Sequence, residues 1–144
     1  MGTRSLTVVY DEQKRPILNL YRQYDGYPSG HGYELAMFLG QFEAITNGIR
    51  VGETRKTANG MGCLAAQLVK HFKDEVGGIY IYSVEATDCG QDYEYHVYLN
   101  EDNDICVRVK NRGCNMFGLT LSDTDEVLFD GPTARLENFC MEDA

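Results

Sequence analysis

Fourteen residues, Tyr21 to Glu34, gather side chains with the chemistry to hold a planar, phosphorylated molecule. Arg22 offers a planar fork of donors that matches a phosphate group. Tyr24 and Tyr27 offer ring faces on which a base can stack. Asp25 accepts from ribose hydroxyls or base amines, and His31 donates to phosphate or ribose. Ser29 belongs to the same candidate set. Gly26, Gly30 and Gly32 let the backbone turn and let other groups approach closely. Pro28 fixes its own φ and pushes Tyr27 toward extended geometry. A purely structural reading stands beside this one, with Asp25-Gly26 and Pro28-Ser29-Gly30 making turns and the tyrosines covering the edge of the core.

A second candidate is Asn59-Gly60-Met61-Gly62, with Arg55 and Lys56 just upstream. Backbone N–H groups at a helix start can hold an anion. The stretch lacks G-x-x-x-x-G-K-[ST] and follows no clear strand, so it is neither a P-loop nor a dinucleotide fingerprint. An N-cap at Asn59 is the competing reading. Arg108, Lys110 and Arg112 form a third basic group, which either balances neighbouring acids or meets a ligand or second subunit.

Other chemistry has thinner support. Cys89 with His96, or Cys63 with His31, would make a nucleophile and base only if the fold joined them. His31, His71 and His96 share no metal-ligand spacing. Asp102, Asp104, Asp123 and Asp125 lack the glycine and terminal glutamate of a calcium loop. No metal and no cofactor is expected.

The elements that must position these groups fit one domain, residues 1–144, with room for one core. No apolar run approaches a membrane span, and the N-terminus does not read as a signal peptide, so the cytosol is the expected compartment. Five cysteines without a C-x-x-C pair argue against a disulfide framework. The net charge of −9 disfavours general binding to nucleic acid or to an anionic membrane. Residues 1–73 carry nine Lys and Arg against six Asp and Glu, whereas residues 74–144 carry four against sixteen. An anionic small molecule is therefore sought in the first half.

Leu6–Tyr10 and Ile17–Tyr21 read as a hairpin that delivers the chain into the Tyr21–Glu34 stretch. Leu35, Phe38, Leu39 and Phe42 predict a helix from Tyr33 to about Ala44. Residues 46–60 read as a long loop. Leu64, Leu68 and Phe72 predict a helix from Gly60 to Lys73. Strands follow at Ile79–Val84, Tyr93–Leu99 and Ile105–Lys110, the last with Cys106, Arg108 and Lys110 on one face. A turn over Gly113–Gly118 and weaker strands at Leu119–Leu121 and Glu126–Phe129 come next. Gly131-Pro132 then opens a short final helix. Short turns between consecutive strands imply an α+β fold: an antiparallel sheet of four to six strands, two helices packed on one face, and a short C-terminal helix.

Three segments carry a resemblance: Met1-Gly-Thr-Arg-Ser-Leu-Thr7, Tyr21 through Gly32 (YRQYDGYPSGHG), and Asn59 through Leu68. Together they resemble a family of small proteins encoded by tailed bacteriophages, prophages and bacteria, over residues 1 to about 100. The resemblance implies a phage accessory protein acting in the host bacterial cytoplasm. By analogy of context rather than of motif, it implies a protein that sequesters a cyclic-nucleotide or ADP-ribose-type defence signal. The expectation is a non-enzymatic, homo-oligomeric binder of a small phosphorylated, nucleotide-like ligand, contacted by Arg22, Tyr24, Asp25, Tyr27, Ser29, His31, Arg55, Lys56, Asn59 and Gly60. Two alternatives remain: a small hydrolase or phosphodiesterase using His31 with Asp25, and an acidic protein that blocks a host protein with the carboxylates of residues 101–130.

Overall fold

The N-terminal hairpin forms the middle of a sheet rather than its edge. In the computed structural model, which describes residues 2–49, 51–112 and 126–142, strands β1 (Ser5–Tyr10) and β2 (Pro16–Arg22) pair antiparallel. They are joined by β5 (Ile79–Tyr82), β6 (Tyr93–Leu99), β7 (Ile105–Asn111) and β8 (Glu126–Pro132) in the order β5-β2-β1-β6-β7-β8. All neighbours run antiparallel except β1 and β6, which are parallel with Ser5 beside Tyr93 and Val9 beside Val97. The expected α+β class therefore holds, with one parallel step that short-turn reasoning did not supply. Strands β3 (Ala44–Thr46) and β4 (Thr57–Asn59) form a second, two-stranded parallel sheet. They occupy the ends of what reads in the sequence as an unbroken loop.

Alternation along the strands separates two faces. One face carries Val9, Leu20, Tyr95, Val97, Val107 and Val109, all fully buried. Helices α1 (Tyr33–Gly40), α2 (Gly60–Phe72) and α3 (Thr133–Glu142) supply Leu35, Leu39, Met61, Leu64, Leu68, Leu136 and Cys140 to the same core. No described helix is long and apolar enough to cross a membrane. Helix α1 stops at Gly40, short of the expected Ala44, because the chain turns there to enter β3. Gly131 and Pro132 close strand β8 instead of opening the last helix, which starts at Thr133.

Helix α2 is capped from a distance. Asn59 makes no side-chain bond to it; its Oδ1 accepts from the Gly48 N–H at 2.7 Å instead. The Met61 N–H donates to Glu12 Oε2 at 2.7 Å, so a carboxylate from the β1–β2 turn meets the positive end of the helix. Gly60 takes φ +82°, a value that glycine adopts without strain.

Among the described residues, the opposite face of the sheet carries no helix. The connection from β5 to β6 lies across one end of it: Asn19 Nδ2 donates to the Ser83 and Ala86 carbonyls at 2.9 and 3.1 Å. Arg112 donates to the Thr87 carbonyl at 2.9 Å. The other end, around Tyr10, His96 and Arg108, forms a cleft among the described residues. The expected turn over Gly113–Gly118 and strand over Leu119–Leu121, together with Arg50, Cys114, Asp123 and Asp125, lie outside the described residues.

Candidate functional site

The Tyr21–Glu34 stretch is satisfied by its own contacts. Asp25 sits at φ +61°, a left-handed conformation that Asp tolerates better than most residues. Its carbonyl accepts from the His31 N–H at 2.7 Å. Residues Pro28–Gly32 then form a single π-helical turn leading into α1. Gly30 is obligatory there, since a Cβ would lie 2.5 Å from the Asp25 carbonyl oxygen. Tyr95 Oη donates to the Gly26 carbonyl at 2.7 Å, fixing the loop to β6.

His31 is wholly buried, with its ring against Phe72 and Tyr95. Arg22 has only donors, so His31 Nδ1 accepts from its guanidinium at 3.1 Å. The hydrogen on Nε2 then goes to Thr7 Oγ1, 2.7 Å away. Burial, and then the Arg22 charge, lower the imidazole pKa to about 3. Neutral His31 has no proton left for an outside group. Arg22 also donates to the Tyr24 carbonyl at 2.6 Å and pairs with Glu34. Tyr27 Oη donates to Asp25 Oδ1 at 3.2 Å. Tyr24 is exposed, and Ser29 is half-buried.

Arg22 and Tyr24 border a cleft of about 260 Å³ whose rim also carries Glu34, Asp74 and Glu75. Three carboxylates against one arginine make it a poor seat for a phosphate. The other expected ligand residues lie elsewhere. Arg55 is held by Glu53 through two contacts of 2.9 Å. Lys56 Nζ stands 5.2 Å from the centre of the Phe42 ring. With Asn59 they line a second cleft that shares no residue with the first. Gly60 borders a third, beside Glu12, the carboxylate already on the α2 N-terminus.

The open sheet face brings together groups from three strands. A cleft of about 480 Å³ is lined by Tyr10 (β1), Lys14 (the β1–β2 turn), His96 and Tyr98 (β6), and Arg108 and Lys110 (β7). These six residues include three cations, two tyrosines and no carboxylate. Strand register explains the convergence: His96 lies beside Val8 of β1 and opposite Arg108 of β7. Lys14 reaches back to donate to the Leu99 carbonyl and stands 5.4 Å from the centre of the Tyr98 ring. Arg108 Nε pairs with Asp130 Oδ2 at 3.0 Å, and Tyr98 donates to the same carboxylate. Burial, and then that hydrogen bond, push the Tyr98 phenol pKa up.

A hydrogen-bonded chain runs from the covered end of this face into the cleft. Glu94 Oε2 accepts from Gln91 Nε2 at 2.8 Å and from Arg112 at 3.0 Å. Glu94 Oε1 meets His96 Nε2 at 2.8 Å, and His96 Nδ1 meets Tyr10 Oη at 2.8 Å. Burial alone would raise the Glu94 pKa. The hydrogen bonds from His96, Gln91 and Arg112 overcome it and bring the value down to about 2. The Tyr10 phenol is pushed up by burial and by Glu94, against the pull of Arg108.

Sequence reasoning placed Arg108 and Lys110 on one strand face but passed over Tyr10, Lys14, Glu94, His96 and Tyr98 as ligand groups. The signal was present in part: alternation puts Glu94, His96 and Tyr98 on one face of β6. What joins them to Tyr10 is the parallel β1–β6 pairing. The structure joins neither of the thinly supported Cys89–His96 and Cys63–His31 pairs by a hydrogen bond: both histidines are held by the groups named above, and Cys63 accepts from Gln67 at 3.4 Å.

Fold and cleft together define a small α+β domain with one sheet face packed and the other bearing a cation-lined, aromatic-walled cleft. The chain matches no protein-family model, no curated protein and no solved structure.

Proposed function

We propose that the protein binds a small phosphorylated, nucleotide-like ligand in the open-face cleft and holds it without cleaving it. The observation that carries this reading is the convergence of Lys14, Arg108 and Lys110 beside the Tyr10 and Tyr98 rings, with no carboxylate among the described lining residues and one neighbouring carboxylate, Asp130, held by Arg108 and Tyr98. Cations take the phosphate and rings take the base. In the setting implied by the phage resemblance, such binding in the host cytoplasm would withdraw a signal from its receptor. A second copy belongs to the same proposal. Edge strand β5, Ile79-Tyr80-Ile81-Tyr82, is uncharged and largely exposed, so it can pair with another chain.

Thermal unfolding against cyclic dinucleotides, cyclic trinucleotides and ADP-ribose derivatives tests the reading. A ligand at 100 times its Kd adds about 2.7 kcal/mol of apparent stability. The shift is expected to vanish in the Arg108→Ala/Lys110→Ala double variant, with the ligand recovered intact. A shift that survives there and vanishes in Arg22→Ala would return the ligand to the Tyr21–Glu34 stretch. The Glu94–His96–Tyr10 chain favours one second reading, a hydrolase of the same ligand class, because a histidine between a carboxylate and a hydroxyl can move a proton. Recovery of altered ligand, abolished in His96→Gln, would establish it.

A further inference from the structure

Building on that binding reading, we infer that Tyr10 is a specificity residue: it presents a hydrogen-bond acceptor to the cleft, so the ligand must carry a hydroxyl or amine donor beside its anionic group, and Glu94 sets this polarity through His96.

The inference follows from hydrogen counting. Glu94 remains a carboxylate, held by Gln91 and Arg112 on one oxygen. A carboxylate only accepts, so the 2.8 Å contact to its other oxygen requires a hydrogen on His96 Nε2. Neutral imidazole has one N–H, which leaves His96 Nδ1 as an acceptor. The Tyr10 hydroxyl hydrogen must therefore point at Nδ1, 2.8 Å away. What Tyr10 has left for a ligand is its oxygen lone pairs. Lys14 and Arg108 can only donate, so they suit an anion and reject an amine or ammonium. The cleft thus has a donor side for phosphate and, beside His96, the Tyr10 oxygen as an acceptor for a neighbouring O–H or N–H; Tyr98, whose hydrogen goes to Asp130, offers a second acceptor beside Arg108. A nucleoside phosphate, with ribose hydroxyls close to its phosphate, fits both; a bare, fully ionised polyphosphate fits only the first.

Glu94→Gln reverses the polarity with little change of shape. The new side-chain carbonyl can keep the bonds from Gln91 and Arg112 while the new amide nitrogen donates to His96 Nε2. His96 then carries its hydrogen on Nδ1 and donates to Tyr10, whose hydroxyl hydrogen turns into the cleft. Tyr10 becomes a donor.

Two measurements at pH 8 test this, with adenosine 5′-monophosphate and inorganic trimetaphosphate as probes. Long-range proton–nitrogen NMR of histidine-labelled protein should show His96 protonated on Nε2 in the wild type and on Nδ1 in Glu94→Gln. Titration calorimetry should show adenosine monophosphate weakened about fivefold in both Tyr10→Phe and Glu94→Gln, the loss of one neutral hydrogen bond. Trimetaphosphate, a cyclic polyphosphate that is fully ionised and offers no donor at this pH, should be unchanged in Tyr10→Phe and tighter in Glu94→Gln. A wild-type His96 protonated on Nδ1 overturns the inference, as does a Glu94→Gln variant that weakens both probes alike. Failure of both probes to bind the wild type overturns the binding reading itself, and the specificity claim with it. Binding of both probes that is lost in Arg108→Ala while Tyr10→Phe leaves adenosine monophosphate untouched overturns the inference alone.

Discussion

His31 and His96 are each held by two hydrogen bonds, yet they sit in regions of opposite character. His31 lies between Thr7 and Arg22 under the Tyr21–Glu34 stretch, wholly buried, with every partner supplied by the chain. His96 lies between Glu94 and Tyr10 at the wall of an open cleft, and its outer partner has acceptor capacity to spare. The first arrangement fixes a fold; the second can address another molecule. Richness in polar and aromatic side chains does not separate them, because both regions have it. Satisfaction does: a loop whose arginine already meets a histidine, a carbonyl and a glutamate has little left to offer a phosphate.

Three experiments break or sharpen that contrast. The largest effect is expected from Gly30→Ala, which sets a methyl group 2.5 Å from a backbone oxygen in the stretch. Overpacking of this kind should cost about 3 kcal/mol in a urea unfolding measurement. A loss below about 0.5 kcal/mol would show the stretch to be adaptable rather than fixed.

Acid comes next. The unfolded chain binds a proton at His31 near pH 6.5, whereas the folded chain refuses it until about pH 3. Between those values the unfolded state holds more protons, so stability falls as pH falls, approaching about 1.4 kcal/mol per pH unit below pH 6. Glu94 adds its own loss only below about pH 4.5, its ordinary value, on the way down to about 2. Unfolding free energies at pH 7, 6 and 5 should therefore slope in the wild type and flatten in His31→Gln. A parallel slope in both proteins would remove His31 as its source.

The smallest effects come from a pair of arginines. Arg22→Ala leaves the buried His31 Nδ1 without a donor and should cost about 1–2 kcal/mol. Arg108 makes an exposed pair with Asp130, and Arg108→Ala should stay within about 0.5 kcal/mol. Equal costs would dissolve the distinction between the two regions.

Much of the fold was legible because it rests on local pattern. The alternation of β6 and β7 and the apolar stripe of α2 each state which face is buried, and Met61, Leu64 and Leu68 are buried as their spacing requires. The site was less legible because it rests on pairing. Nothing near Asn59 or Gly60 says that Glu12, from a distant turn, would cap α2. Nothing near Arg22 says that Glu34 and His31 would claim its guanidinium. Nothing in either strand announces that Tyr10 would meet His96, since a parallel neighbour is not set by a turn. Side-chain types identify what chemistry is present; partners decide which of it remains available.

The parallel step between β1 and β6 also bears on how the protein comes to exist. Arg4 N–H reaches the Asp92 carboxylate at 3.0 Å across 88 positions of sequence. As the polypeptide is synthesised, β1 can take its first neighbour at once, but its other edge waits for residues 93–97. Until then, the backbone of a central strand is exposed to any other strand that arrives first. Closure across so long a separation is also slow compared with hairpin formation. A nascent chain that ends before β6 thus leaves one edge of β1 without the neighbour it has in the finished sheet.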